Sequence, residues 1–490
     1  MSKKIAVIGS GFAGISAASS LAKAGCSVTV FEKNSTPGGR ARKFSSGGFT
    51  FDMGPSWYWM PDVFEQYFQK FGKKVSDYYD LIRLDPSYRV FFSDGKPTDI
   101  PANLDDLFQL FEELEPGSSK QLQKFLDEAE YKYDVGINDL VYKPGRSLVE
   151  FLDTRLITGV FKLHVFKSIS SYIRKYFKHP QLIKLLEFPV LFLGAMPSKT
   201  PALYSLMNYA DIALGTWYPK GGMNEIVQGM YRLALELGVE FKFDSPVQEI
   251  SMNATKAKGL IVNGAVHTFD FIVGGADYHH VEQHLLPEKF RKYDEAYWDK
   301  RDMAPGSLIF YLGVNKKLDN LQHHNLFFDA SFEKHAEEIY ENPKWPSKPL
   351  FYTCCTTKTD PSGAPKGMEN VFVLIPTAPD LEDDEVTREK YYDLVMDRME
   401  RLTGQKIKEH VVYKRSYAHN DFVGDYNAYK GNAYGLANTL RQTALLKPSM
   451  QNKKVKNLFY TGQLTVPGPG VPPSLISGQV VADEIMKVIK

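Results

Sequence analysis

The sequence predicts an α/β fold in which a Rossmann-like domain is interleaved with an α+β domain. A strand, a glycine-rich turn and a helix follow one another within the first 25 residues. Patterns typical of further buried strands return near residue 240 and near residue 457. Because separate segments then contribute to one sheet, we assign 1-70, 219-290 and 441-490 to the Rossmann-like domain and 71-218 and 291-440 to the second domain.

The first strand and helix are the clearest elements of this pattern. Residues 5–8 are a short apolar run typical of a buried parallel strand, and the motif Gly9-Ser-Gly11-Phe-Ala-Gly14 follows directly. Apolar residues at helical spacing predict a helix over residues 14–24, ending at Gly25. A second strand over residues 28–31 completes a strand, helix, strand unit.

The glycines and the acidic residue of this unit predict a dinucleotide site. Gly9 permits a tight turn, Gly11 lets the backbone approach a pyrophosphate, and Gly14 lets the helix pack closely on the strand. Glu32 lies 18 residues after Gly14, at the end of the second strand. Its carboxylate can accept hydrogen bonds from both ribose hydroxyls, and the neighbouring Lys33 is assigned to the same site.

The segment Gly38-Gly39-Arg40 indicates which dinucleotide binds. A glycine pair followed by an arginine after the second strand places a guanidinium against the pyrophosphate, which favours FAD over NAD. An arginine on a surface loop is the alternative. Gly39 and Arg40 are therefore candidate FAD-binding residues.

Later segments are expected to complete the same sheet. A helix with Ile226 and Met230 on one face leads into a third strand over residues 239–243, and Asn263-Gly264 predicts a β-hairpin turn. Another strand begins at Phe271.

The last fifty residues repeat the strand, loop, helix pattern. A strand is predicted over residues 457–461, the turn Gly462-Gln463 follows, and an amphipathic helix covers residues 474–489. Between them, residues 465–473 contain four prolines and two glycines. Pro473 suits the first helical position, so the helix N-terminus could face a flavin carbonyl. A purely structural turn is the alternative.

Composition excludes several classes of protein. With 59 basic and 58 acidic residues the net charge is +1, which gives no sign of a nucleic-acid partner. Cys26, Cys354 and Cys355 suit neither a disulfide framework nor zinc-ligand spacing, so no metal is predicted and a reducing cytoplasm is expected. No stretch reaches the roughly 18 uncharged apolar residues of a spanning helix.

Several segments together resemble one family, the phytoene-desaturase or carotenoid-desaturase branch of the flavin amine oxidase superfamily. The resemblance covers nearly the whole chain. Besides the motifs above, it rests on Phe51-Asp52-Met-Gly54-Pro55-Ser56, Trp217-Tyr-Pro219-Lys-Gly221-Gly222-Met223, Gly431-Asn-Ala-Tyr434-Gly435-Leu and the segment from Thr461 to Ser474. In one departure, Gln463 stands where many relatives carry an acidic or small residue.

The resemblance implies an FAD-dependent desaturase that introduces C=C bonds into a long isoprenoid by hydride transfer to the flavin. A phytoene desaturase and a hydroxycarotenoid 3,4-desaturase both remain open, as do oxygen and a quinone as electron acceptor. Trp57, Tyr58 and Trp59 are either site or core aromatics, and no catalytic residue is named. The further cofactor-binding residues that the resemblance implies are Gly54, Pro55, Ser56, Val247, Gly462, Gln463, Val471 and Pro472.

A basic stretch suggests how a lipid-soluble substrate enters. Residues 154–186 contain no Asp or Glu but seven cations, interleaved with apolar residues, a pattern that predicts peripheral contact with the inner face of a membrane. A solvated helix face is the alternative. The cations are Arg155, Lys162, Lys167, Arg174, Lys175, Lys178 and Lys184.

Two other functions fit the same fold. A flavin amine or amino-acid oxidase would need polar groups that anchor a charged amine. A non-catalytic prenyl-chain-binding protein that has lost its cofactor is disfavoured by the presence of Glu32 and Arg40.

Overall fold

The structure is a computed structural model that describes residues 2–147, 150, 164, 167–191, 194 and 196–489. The strands are β1 (Lys4–Ile8), β2 (Ser27–Phe31), β3 (Lys43–Ser46), β4 (Phe49–Asp52), β5 (Leu81–Arg83), β6 (Tyr88–Phe92), β7 (Pro97–Ile100), β8 (Trp217–Pro219), β9 (Glu240–Lys242), β10 (Val247–Asn253), β11 (Lys256–Val262), β12 (Ala265–Thr268), β13 (Phe271–Gly274), β14 (Gly306–Val314), β15 (His324–Phe328), β16 (Phe351–Cys354), β17 (Glu369–Thr377), β18 (Val411–Tyr417) and β19 (Leu458–Tyr460).

The α-helices of the described residues are numbered in chain order. They are α1 (Phe12–Lys23), α2 (Pro61–Gln69), α3 (Leu104–Leu114), α4 (Ser118–Asp134), α5 (Ile169–Tyr176), α6 (Pro180–Leu191), α7 (Leu206–Ile212), α8 (Asn224–Glu236), α9 (Tyr278–Gln283), α10 (Glu295–Asp299), α11 (Phe332–Ala336), α12 (Glu385–Thr403), α13 (His419–Tyr426) and α14 (Val471–Ile489).

A five-stranded parallel sheet with the order β19-β13-β1-β2-β9 confirms the predicted α/β fold. The expected third strand is β9 at one edge, and the strand expected from Phe271 is β13, paired with β1. Helices α1 and α14 pack face to face, since a Cβ atom at Gly478 would overlap the carbonyl of Ala13. The first and last helices of the chain are therefore held against each other.

The predicted hairpin at Asn263-Gly264 is also confirmed. Both residues have positive φ angles, 49° and 76°, and they connect β11 to β12 in a three-stranded sheet with β10. Positive φ at both central positions is what a tight two-residue hairpin turn requires.

A second, seven-stranded sheet has the order β18-β14-β17-β16-β15-β6-β7. Neighbouring strands are antiparallel except β15 and β6. All nine residues of β14 are buried, because α12 packs on one face of the sheet while the other face contacts β4 and the loop after it. On that second face, the hydroxyl of Tyr311 donates to the carbonyl of Met53 at 2.7 Å.

The boundaries assigned from the sequence to the Rossmann-like domain and the second domain stay a prediction.

Candidate functional site

The glycine-rich turn forms an open cradle at the N-terminus of α1. Gly9 has a φ of +93°, and a Cβ atom at Gly14 would overlap the carbonyl oxygen of Gly9, so both positions require glycine. A Cβ atom at Gly11 would meet nothing within 4 Å. Gly11 caps α1 without a side-chain hydrogen bond, which leaves first-turn N–H groups for an anion. This geometry fits a pyrophosphate.

The Gly38-Gly39-Arg40 segment packs directly on that turn. The Gly38 N–H donates to the Ser10 carbonyl at 2.9 Å, and a Cβ atom at Gly39 would lie 3.3 Å from the Cα of Gly11. Both glycines have positive φ angles. The structure thus brings the two predicted glycine motifs together.

Arg40 contributes a half-buried positive charge to this cradle. Its guanidinium makes no ion pair and its Nε atom has no hydrogen-bond partner among the described residues. Burial lowers the pKa of Arg40, while Asp277 acts in the opposite direction. One terminal nitrogen donates to the Asn432 carbonyl at 3.3 Å. A half-buried cation with an unused donor fits a phosphate group.

Glu32 is fully engaged by neighbouring protein donors. Its Oε2 accepts from the backbone N–H and the hydroxyl of Ser10 at 2.9 and 2.8 Å. Its Oε1 accepts from the backbone and side-chain nitrogens of Asn34, both at 2.9 Å. To bind Glu32, a ribose hydroxyl would have to replace the Ser10 hydroxyl or the Asn34 amide as hydrogen-bond donor. The ribose role of Glu32 stays a prediction.

Two other predicted cofactor-binding residues are Val247, which follows a segment that contacts Glu32, and Lys33, which follows Glu32 directly but is directed to another part of the protein. The Ser245 N–H donates to the Glu32 carbonyl at 2.8 Å, so Val247 begins β10 two residues after a segment fastened to the dinucleotide motif. Lys33 instead donates from Nζ to the carbonyl of Gly424 at 2.7 Å, and burial lowers its pKa.

The loop after β4 joins two of the motifs that carry the family resemblance. The Asp52 carboxylate accepts from the N–H groups of Met223 and Asn224 at 2.8 and 2.9 Å, at the start of α8. Burial raises the pKa of Asp52 to about 6, although these two hydrogen bonds act in the opposite direction. A Cβ atom at Gly54 would lie 2.5 Å from the Arg40 carbonyl oxygen, so this loop packs against the arginine. Pro55 and Ser56 follow it.

The C-terminal helix begins earlier than predicted. It starts at Val471 rather than at residue 474, so Pro472 and Pro473 are its second and third residues. Both prolines lack an N–H, and the Ser474 N–H donates to Gly470, which leaves Val471 to supply an N–H at this helix start.

The turn at Gly462 lies against the N-terminus of α1. Gly462 has a φ of +109° and its N–H donates to the Ser477 hydroxyl at 3.0 Å. A Cβ atom there would lie 3.8 Å from the Cβ of Ala13. Gln463, the next residue, lies beside Arg40. Segments separated by more than 400 residues therefore meet at one place.

Lys447 is a candidate residue that sequence reasoning missed. Its amine is buried, donates to the Asn438 Oδ1 atom at 2.9 Å and lies next to Gly468 in the proline-rich loop. Burial lowers its pKa to about 7. A lysine within the apolar run Ala-Leu-Leu-Lys447-Pro was the available signal.

Aromatic rings gather on the far side of the Gly54-Pro55-Ser56 loop. The Trp57 indole stacks on the His324 imidazole with 4.1 Å between centroids and lies 5.4 Å from the Tyr352 ring. The Trp59 ring is 5.1 Å from Trp57. Tyr58 stacks on Phe64 at 4.5 Å. Tyr58 and Trp59 are both buried and belong to the core, whereas Trp57 is half-buried.

The basic stretch is described only in part, because residues 154–163, 165 and 166 lie outside the described residues. Within α5, the apolar residues Ile169, Tyr172 and Ile173 are buried against the protein while the cations of this helix face solvent, and membrane contact stays a prediction. Arg174 forms an ion pair with Glu187. Among the described residues, no helix is long and apolar enough to cross a membrane.

Comparison with known proteins gives the family. The model of the flavin containing amine oxidoreductase family matches residues 12–486. The chain is 42% identical over 486 residues to the carotenoid 3,4-desaturase of Haloarcula japonica, a match that covers 99% of this chain and 98% of that protein. It is 32% identical over 489 residues to the zeta-carotene-forming phytoene desaturase of Myxococcus xanthus, covering 99% and 94%.

A solved structure has the same fold. An oxidoreductase from Methanosarcina mazei superimposes with a TM-score of 0.65 at 15% sequence identity, covering 99% of this chain and 100% of that one. Such low identity supports the fold alone. The family assignment rests on the sequence matches, which cover almost the full length of the chain. The chain belongs to the flavin containing amine oxidoreductase family.

Proposed function

We propose that this protein is an FAD-dependent carotenoid desaturase that introduces C=C bonds into a long isoprenoid chain. The observation that carries the proposal is the 42% identity to a carotenoid 3,4-desaturase over 99% of the chain. Since the phytoene desaturase relative is 32% identical, 3,4-desaturation is the first reaction to test.

The cradle around α1 supports FAD as the flavin. Gly11 and Arg40 offer N–H donors and a positive charge to a pyrophosphate. Glu32 and the Val247 backbone would hold the adenosine half, and Gly462 and Val471 the flavin half. When bound, the flavin accepts the hydride that leaves the substrate.

The residues around the loop from Gly54 to Ser56 suit an apolar substrate. Trp57, which is half-buried, offers aromatic surface next to this loop, and the buried Trp59 packs behind it. Aromatic side chains bury large areas of an apolar chain and hold it in one orientation. Aromatic faces also hold ammonium groups by cation–π attraction, so the identity to the carotenoid 3,4-desaturase, and not the aromatic surface, favours the desaturase over the amine oxidase.

Lys447 is the group best suited to hold a proton near the proline-rich loop. Its pKa of about 7 lets the amine exist in both protonation states near neutral pH. Removing hydrogen from a C–C bond releases one proton as well as one hydride, so a nearby group of this pKa is chemically appropriate.

Peripheral contact with the inner face of the membrane is a further part of the proposal. The exposed cations Lys167, Lys175 and Lys178 support an electrostatic contact with anionic lipid. The buried apolar face of α5 argues against insertion by that helix. Oxygen or a membrane quinone would then reoxidise the flavin.

Product analysis in a carotenoid-producing host tests the proposal. We expect cells that make lycopene or a hydroxylated derivative to accumulate a carotenoid two hydrogens lighter per new double bond when they express this protein. Phytoene-producing cells and an Arg40→Ala variant serve as controls. Unchanged carotenoids in every host, together with peroxide formation from putrescine or amino acids, would support the amine oxidase instead.

A further inference from the structure

Two histidines and a cysteine meet in the interior of the seven-stranded sheet. His323 precedes β15, His324 is its first residue, and Cys354 ends the neighbouring strand β16, where it pairs with His324. One ring nitrogen of each histidine and the Cys354 sulfur lie within 4.8 Å of one another. All three side chains are at least nine-tenths buried, with exposed fractions of 4%, 0% and 3%.

Hydrogen bonds hold one nitrogen of each imidazole and leave the other unused. His323 Nδ1 lies 2.7 Å from the Thr359 hydroxyl, and His324 Nδ1 lies 2.6 Å from the Tyr352 hydroxyl. Both oxygens can accept, so each Nδ1 can carry the proton. The two Nε2 atoms are buried and have no partner among the described residues. A hydroxyl or carbonyl that fixes Nδ1–H is the usual partner of a metal-binding imidazole.

The chemistry of the donor atoms also suits a cation. A neutral imidazole nitrogen and a thiolate are common metal ligands. A thiol that coordinates a cation gives up its proton.

We propose that His323, His324 and Cys354 form a binding site for one thiophilic cation, Zn²⁺ in the first instance, inside the second sheet. Two imidazoles and one thiolate are the donor set that zinc prefers, whereas Ca²⁺ and Mg²⁺ prefer oxygen ligands. Binding forms the Zn–S bond and releases one proton from Cys354 to solvent, with no change of oxidation state.

A small cavity adjoins the cysteine side of the cluster. Its volume is about 20 Å³, and Cys354, Ser56, Tyr218 and Thr356 are among its lining residues, whereas neither histidine is. A space of that size accommodates about one water molecule beside Cys354. The three side chains are therefore the ligands that the structure supports.

The metal would hold the aromatic cluster in position. Its ligand His324 stacks on Trp57 with an interplanar angle of 12°, and Trp57 directly follows Ser56. Fixing His324 would therefore fix the indole beside the loop that contacts Arg40. This inference does not depend on the proposed desaturase activity.

Spacing along the sequence gave no signal for this site. Cys354 lies 30 positions after His324, and the adjacent Cys355 points elsewhere, with its sulfur 3.4 Å from the Glu369 carboxylate. Only one sulfur of the cysteine pair belongs to the cluster. Cys355 is thus a matched control, since it is a buried cysteine one position away.

The test is metal binding by the full-length, FAD-containing protein after removal of metal with a chelator. Dialysis against Zn²⁺ is expected to restore one zinc per chain in wild type and in Cys355→Ser. Affinity should fall at least about tenfold in Cys354→Ser and in His324→Gln. With Co²⁺, wild type should show a thiolate-to-cobalt absorption band that Cys354→Ser lacks.

Folding of each variant is verified by its flavin spectrum and melting temperature. If Cys354→Ser does not fold, His323→Gln replaces it, because that change removes one ligand and leaves the sulfur. The inference is overturned if the wild type binds neither Zn²⁺ nor Co²⁺, if folded ligand variants bind as tightly as wild type, or if Cys355→Ser loses the metal equally. Carotenoid product analysis does not enter these outcomes.

Discussion

The Gln463 amide lies against the Arg40 guanidinium. In the amide orientation that satisfies both polar atoms, Oε1 accepts from the two terminal nitrogens of Arg40 at 3.0 and 3.2 Å, and Nε2 donates to the Tyr434 carbonyl at 3.1 Å. The amide orients the guanidinium without neutralising it. We therefore expect a glutamine at this position to preserve the positive charge for the anion of a cofactor.

Replacing Gln463 with glutamate is expected to weaken FAD binding. A carboxylate would pair with Arg40 and cancel the charge that attracts the pyrophosphate. We expect flavin occupancy after gel filtration to fall in Gln463→Glu and to change less in Gln463→Asn. Equal occupancy in all three proteins would contradict this role of the amide.

Removing the charge at Arg40 should also weaken FAD binding. The lost charge-assisted contact corresponds to roughly 1.5 to 3 kcal/mol, or about 10- to 150-fold in affinity. Arg42→Ala is the matched control, because Arg42 pairs with Asp425 at 2.9 Å. If flavin titration gives the same dissociation constant for Arg40→Ala and wild type, the pyrophosphate assignment is wrong.

Glu32→Ala is expected to lower both FAD retention and stability. The substitution leaves the donors of Ser10 and Asn34 without an acceptor, at a cost of roughly 1 to 3 kcal/mol. Glu32→Gln separates the two effects, since its one remaining acceptor oxygen preserves part of the network. Urea unfolding without FAD measures the stability of each variant, and unfolding with added FAD measures how strongly FAD is retained. If the alanine variant matches wild type in both measurements, Glu32 has neither role.

The buried amine of Lys447 makes the free energy of unfolding depend on pH in the alkaline range. Its folded pKa of about 7 lies below the ordinary value of 10.5, so between these values the unfolded state binds more protons. The resulting penalty is largest below about pH 7 and declines as the pH rises toward 10.5. We expect Lys447→Met to be more stable than wild type at pH 7, with an advantage that shrinks by up to about 1.4 kcal/mol per pH unit.

Denaturant unfolding of both proteins from pH 6.5 to 10 measures this difference. An advantage that stays constant across the range would show that Lys447 is charged in the folded protein. Lys447→Arg is the control, because arginine keeps its charge throughout and should be destabilised at every pH.

Anionic vesicles test the membrane contact. Wild type should co-sediment with vesicles at low salt and less at high salt, because screening weakens exposed charges. A triple change to glutamine should reduce binding, whereas the same change at three exposed lysines elsewhere should not. The variant set is Lys167, Lys175 and Lys178, and the control set is Lys453, Lys454 and Lys456. Identical sedimentation of the two sets would remove the proposed contact.

The sequence predicted the parts of the site that depend on local patterns. The glycines of the first turn and the strand ending before Glu32 were predictable, because each follows from backbone geometry within a few residues. The start of α14 was not, since Pro472 and Pro473 can occupy either a loop or the first turn of a helix. The contact between Arg40 and Gln463 joins distant segments, and pairing between distant segments has no periodic signal.

Buried polar groups were equally invisible in the sequence. Lys447 and His324 resemble ordinary lysine and histidine positions until the fold removes water from them. Burial lowers the pKa of both side chains, and burial is a property of tertiary structure.

The packing of α1 against α14 has a consequence for biosynthesis. The glycine turn at Gly11 and its neighbours Gly462 and β19 come from segments more than 400 residues apart along the chain. During synthesis, β19 cannot pair with β13 until residues 458–460 have left the exit tunnel. We therefore expect the cradle to be completed only after this distant segment has been made.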